Sequence, residues 1–134
     1  MRLVLDTDVI VASFRSPTSA SAELLRMAER KQVILAVSVA LMLEYEAVLT
    51  RPEHFEAGRT DKFLTLLCDL AQPVRIHVRW RPQTADPADD HVLEAAINSR
   101  ADALASFNVR DFGKAPGQFG IICARPGNIL EMTR

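Results

Sequence analysis

The sequence predicts an α/β domain, with helices on both faces of a mainly parallel sheet of about five strands. Three observations carry that prediction. Short β-branched apolar runs alternate with helical patterns, the 134 residues suit one domain, and 49% apolar with 25% charged residues is ordinary globular composition. No repeat, low-complexity tract or linker divides the chain, so residues 1–134 read as a single domain.

In order, Leu3-Val4-Leu5 and Val33 to Val37 are apolar runs too short for a helix, and read as buried strands. Between them a helix from about residue 18 to 30 places Ala22, Leu25 and Ala28 on one face. Ser38 can cap a helix in which Leu41, Tyr45, Val48 and Leu49 fall at i, i+4, i+7 and i+8, before Arg51-Pro52 ends it. Thr60 can cap another, with Phe63, Leu66, Leu67 and Leu70 at helical spacing and a stop at Pro73. Val74, Ile76 and Val78 alternate with Arg75, His77 and Arg79, as in an edge strand with one wet face. A helix follows Pro87 with Val92, Ala95, Ala96 and Ser99 inward. Ala103 to Phe107 and Gly120 to Ala124 complete the strands, and a last helix covers roughly 127 to 133.

No apolar run approaches the ~20 residues of a membrane span. An acid at position 6 comes too soon for a secretory signal, and Cys68 and Cys123 lack metal-site spacing. A cytoplasmic protein with reduced thiols, off the membrane, is the expectation. The net charge of −1 selects no partner, because acids gathered around a metal would leave the remaining surface positive.

In this fold class ligands bind beyond the carboxyl ends of the strands. Asp6 closes the first strand, and Glu44 lies six residues past Ser38, about 9 Å along a helix. Asp90 falls in the first turn of the helix leading to the fourth strand, and Asn108 and Asp111 follow that strand. Singly, Asp6, Asp89 or Asp90 could be a helix cap. Together the acids converge on one rim, where oxygen-only ligands suit Mg²⁺ or Mn²⁺. The helical wheel leaves Glu44 and Glu46 equally far from the apolar face, and spacing does not choose between them.

Four segments carry a resemblance, running from residue 2 to about residue 130, to the PIN-domain family, in particular its small prokaryotic VapC-like toxins. They are Leu5-Asp6-Thr7-Asp8-Val9-Ile10, Glu44-Tyr45-Glu46-Ala47-Val48-Leu49, Asp86 to Ala96, and Ala101 to Phe112. The resemblance implies a PIN-like three-layer α/β/α sandwich and a metal-dependent ribonuclease that uses Mg²⁺ or Mn²⁺. It carries the acidic positions onto Asp6, Glu44, Asp90 and Asp111, with Asn108 beside them, and so selects Glu44 over Glu46. Asp8 stands where Asn is usual, and Ser106 replaces a usual Thr. The resemblance further implies an RNA substrate, a cognate antitoxin covering the acidic rim, and a homodimer.

Ser106 and Arg110 are candidate RNA contacts, as is the basic aromatic stretch of Arg79, Trp80 and Arg81, which otherwise reads as a charged edge strand. His54, His77 and His91 read as surface residues, and Cys68 and Cys123 as core thiols. Two rival functions share these residues. A haloacid-dehalogenase-like phosphatase would use Asp6 and Asp8, with Ser106 and Lys114, but lacks the late acidic pair. A non-catalytic receiver-like signalling module needs an acid after the third strand, where Arg79-Trp80-Arg81 stands.

Overall fold

A computed structural model of the chain describes residues 1–79 and 87–133. Five strands, β1 (Arg2–Leu5), β2 (Ile34–Ser38), β3 (Ala71–Val74), β4 (Ala103–Ala105) and β5 (Ile122–Ala124), form one sheet in the order β3-β2-β1-β4-β5. All four neighbouring pairs are parallel. The central strand is buried on both faces, as its unbroken apolar run requires: Leu3, Val4 and Leu5 are at most 2% exposed. The chain moves outward from β1 to β3 and then returns to place β4 on the other side of β1. That reversal leaves a crevice at the carboxyl ends of β1 and β4.

The helices are α1 (Thr7–Arg15), α2 (Ala20–Glu29), α3 (Val39–Leu49), α4 (Arg59–Leu70), α5 (Pro87–Ser99), α6 (Ala115–Gln118) and α7 (Pro126–Met132). Helix α5 packs along β1 to β4, while α2 packs on α1 and α7. Ser38 caps α3 as its sequence suggests, its hydroxyl accepting from the Leu41 amide at 3.2 Å. Tyr45, 1% exposed, reaches across the core and donates its hydroxyl to the carbonyl of Leu5 at the end of β1. This contact fixes α3 against the strand that carries Asp6.

Several expectations from the sequence need correction. Helix α1 was not foreseen, because its Val9-Ile10-Val11 run resembles a strand. Val9, Ile10, Ser13 and Phe14 nevertheless bury one helical face, and Asp6 provides the cap. Thr60 does not cap α4: the helix starts after Gly58, at φ 77°, and the buried Thr60 hydroxyl accepts from the Glu56 amide at 2.9 Å. The edge strand covers residues 71–74, not 74–78, and includes Pro73, which an edge strand tolerates. The alternating residues beyond it leave the ladder. Asn98 of α5 holds them instead, its side-chain oxygen accepting from the amides of His77 at 2.9 Å and Val78 at 3.0 Å. Cys68 is exposed, one position off the buried stripe marked by Leu67, and Cys123 is half-buried.

Tyr45→Phe removes the hydroxyl and deprives a buried carbonyl of its partner. The expected cost is about 1–2 kcal/mol, read as a lower urea midpoint with an unchanged slope.

Candidate active site

At the β1–β4 crevice, Asp6 occupies the turn between β1 and α1 and is 8% exposed. Its backbone amide extends the β1–β4 ladder by donating to the Ala105 carbonyl at 2.9 Å. One carboxylate oxygen accepts from the Thr7 amide at 2.7 Å, and the other from the Ser106 hydroxyl at 2.7 Å. Ser106, fully buried, also accepts from the Asn108 amide at 2.9 Å. A single hydroxyl therefore orients Asp6 and shapes the turn after β4.

Asp8 stands in the first turn of α1. Its Oδ2 accepts from the Phe107 amide and the Asn108 side-chain amide, both at 3.1 Å. Its Oδ1 is buried with no partner of hydrogen-bond geometry. Burial, and secondly the charge of Asp6, push its carboxyl up to about 6, against the opposing pull of the Phe107 and Val9 amides and Arg125. Arg125 itself lies over the Phe107 ring, 5.2 Å from its centroid.

Helix α3 contributes Glu44, half-buried and paired with Nδ1 of His91 from α5. His91 is thus tied to the site and is not the plain surface residue its sequence position suggested. Tyr45, next to Glu44, is held well above the usual phenol range by burial and by the charges of Asp6 and Glu44. Glu46, on the opposite flank of α3, is exposed.

Asp6, Thr7, Asp8, Glu44, Ala47, Val48, Arg51, Ala88, Asp89, Asn108 and Asp111 line one cleft of about 350 Å³. Asp111 reaches it from a 3-10 turn, Val109–Phe112, anchored by the buried Phe112. The structure thus brings Asp6, Glu44, Asn108 and Asp111 together as their positions suggested. Asp90 does not line the cleft; it is 4% exposed, and its neighbour Asp89 takes the wall. Consecutive helical residues point about 100° apart, and on α5 Ala88 and Asp89 are turned toward the cleft while Asp90 is turned inward. Arg110 and Arg79 are exposed and off the cleft, and Trp80 and Arg81 lie outside the described residues. Asp8 and Arg51 also line the cleft. Helical spacing does not reach Arg51, because α3 ends at Leu49 and Arg51 follows its C-cap Thr50.

The donor set fits a hard divalent cation: five carboxyls, from Asp6, Asp8, Glu44, Asp89 and Asp111, surround the cleft, and Asp8 contributes an orphaned oxygen. Among the described residues no three His, Cys, Asp or Glu side chains stand close enough to hold an ion jointly. Magnesium commonly takes one or two carboxylates and keeps several waters, which suits acids spaced around a shared cleft. The receiver-like alternative finds no support at β3, which ends at Val74 and is followed by Arg75.

The family profile described as PIN domain matches residues 2–110. No curated protein matches the chain. Among solved structures, the crystal structure of VapBC2 from Rickettsia felis bound to a DNA fragment from their promoter is similar in fold. The TM-score is 0.66 at 14% identity, over 92% of this chain and 97% of that one.

Asp8→Asn tests the electrostatic cost of the cleft. An acid whose folded-state pKa is raised from 3.8 to about 6 destabilises the fold above about pH 6 and not below about pH 4. Solvent screening reduces the penalty to about 1 kcal/mol. The metal-free variant is therefore expected to melt later than wild type at neutral pH, and at the same temperature in acid.

Proposed function

The chain belongs to the PIN-domain family, and on that premise we propose that it is a ribonuclease hydrolysing RNA phosphodiester bonds with Mg²⁺ or Mn²⁺. The observation that carries this reading is the cleft of five carboxyls at the β1–β4 switch point. Asp6, Glu44, Asp90 and Asp111 are the ligand set the resemblance implies, with Asn108 completing the shell or positioning water. On α5, Asp89 competes with Asp90 for that role, since it stands on the cleft wall. When bound, the ion supplies an activated water and offsets charge on the attacking and leaving oxygens of an in-line displacement. The chain's own part is orientation. Ser106 and the Thr7 amide hold the Asp6 carboxylate from both sides. Tyr45 sets the height of Glu44, and Asn108 bridges Asp8 to the turn that carries Asp111.

We further propose that it is the toxin of a toxin–antitoxin pair, with an antitoxin covering the acidic rim, and that it forms a homodimer. Family membership and the likeness to a VapBC2 complex support this. So does apolar surface near the rim: Val39 and Leu43 of α3 are 76% and 59% exposed, in one stripe with the cleft-lining Ala47.

Purified protein, offered a single-stranded RNA, p-nitrophenyl phosphate and acetyl phosphate in parallel, is expected to cleave only the RNA and to stop in EDTA. Cleavage undiminished by EDTA would overturn the reading. Asp6→Asn should lower the rate at least 100-fold, the scale of lost metal function, and remain folded by circular dichroism. Glu44→Gln should do likewise, and Glu46→Gln should cleave normally. Asp89→Asn and Asp90→Asn, compared by Mg²⁺-dependent thermal shift, assign the α5 ligand to whichever variant loses the shift.

A further inference from the structure

We propose that Arg51 grips a phosphate of the RNA strand flanking the scissile bond, as a positioning residue that acts on substrate binding and not on the chemical step. The proposal rests on the ribonuclease reading and adds to it the residue that holds the polyanion. Three observations carry it. Among the described residues Arg51 is the one cation of the cleft wall, lining the same space as Asp6, Asp8, Glu44, Asp89 and Asp111. It is exposed, and among the described residues its guanidinium makes no ion pair or hydrogen bond, although five carboxyls share its cleft. Arg2, Arg26, Arg30, Arg59 and Arg125 are engaged by hydrogen bonds, ion pairs or a ring contact, whereas Arg15, Arg75, Arg79, Arg100 and Arg110 are as uncommitted as Arg51 but stand off the cleft.

The third observation is the order of groups along this wall. Glu44, Ala47 and Val48 of α3 and Arg51, two residues past its end, line the same cleft, running from a carboxylate over two small uncharged residues to a guanidinium. Carboxylates repel a phosphodiester until a cation screens them, and a strand laid across this cleft needs a positive contact beyond the screened region. A guanidinium supplies two parallel N–H donors matched to phosphate oxygens. The competing account is that Arg51 only complements the helix carbonyls, since it follows the C-cap residue Thr50 and its amide donates to the Val48 carbonyl at 3.2 Å. That role would move stability and leave RNA affinity unchanged.

The two accounts separate in a salt titration. Fluorescence anisotropy of a labelled single-stranded RNA, measured with Ca²⁺ in place of Mg²⁺ so that the carboxylates are screened while turnover is suppressed, gives Kd against KCl for wild type, R51A, R51K and K62A, the last a charge removal on α4. Steady-state cleavage with Mg²⁺ gives KM and kcat for the same proteins. R51A is expected to weaken binding about tenfold at low salt, to flatten the log Kd against log salt slope by about 0.7, the value of one single-strand phosphate contact, and to raise KM with kcat nearly unchanged. R51K should keep the slope, and K62A should match wild type. An R51A slope equal to wild type, an equal loss in K62A, or a fall in kcat at constant KM would overturn the proposal. If wild type binds RNA through Arg51 and never cleaves it, the ribonuclease reading fails while the phosphate contact stands.

Discussion

The Ser106 hydroxyl, donated to Asp6 across the β1–β4 seam, is the bond around which the rest of the cleft is arranged. Carboxylates brought together repel, so the fold has to supply the force that holds them. It does so with groups that can do little else. A buried hydroxyl needs a partner, and Ser106 satisfies its needs with Asp6 on one side and the Asn108 amide on the other. Tyr45 does the same for α3, where its buried hydroxyl finds the Leu5 carbonyl and so brings Glu44 up to Asp6. Burial, and after it the charge of Asp6, make Asp8 hold its proton more tightly than a surface aspartate.

This division of labour separates stability from chemistry. Leu3, Val4 and Leu5, with Ala103, Leu104 and Ala105, make a dry seam that carries no charge. Asp6 stands one position beyond β1 and Ser106, which holds it, one position beyond β4, where the backbone turns into helix or loop. Strain from the acids is therefore confined to the rim, and the sheet beneath it is ordinary hydrophobic packing.

Much of this was legible in the sequence, and the failures have physical causes. Strands β1, β2, β4 and β5 announced themselves as apolar runs, and Ser38 as a cap, because those signals are local. Helix α1 was hidden because β-branched residues dominate its first turn, and tertiary packing overrides that preference. The strand expected over residues 74–78 had the right alternation, but Asn98 of a distant helix takes its amides out of the ladder. Which of Asp89 and Asp90 faces the cleft depends on the rotation of α5, and periodicity fixes that only to within a residue. The Glu44–His91 pair joins positions 47 apart, and no local rule reaches it.

The seam between β1 and β4 also governs when the site comes into existence. Asp6 belongs to the first strand, yet its partner Ser106 lies 100 residues later in sequence, and Asp111 later still. Contacts of such separation form late, after the long loop between them has been closed. During synthesis the N-terminal half can bury α1, α2 and β2 against β1, but the cleft stays open on one side until β4 has been made and inserted next to β1. A nascent chain that ends before β4 carries much of the fold and none of the completed rim. Parallel topology thus ties the assembly of the acidic centre to the arrival of β4.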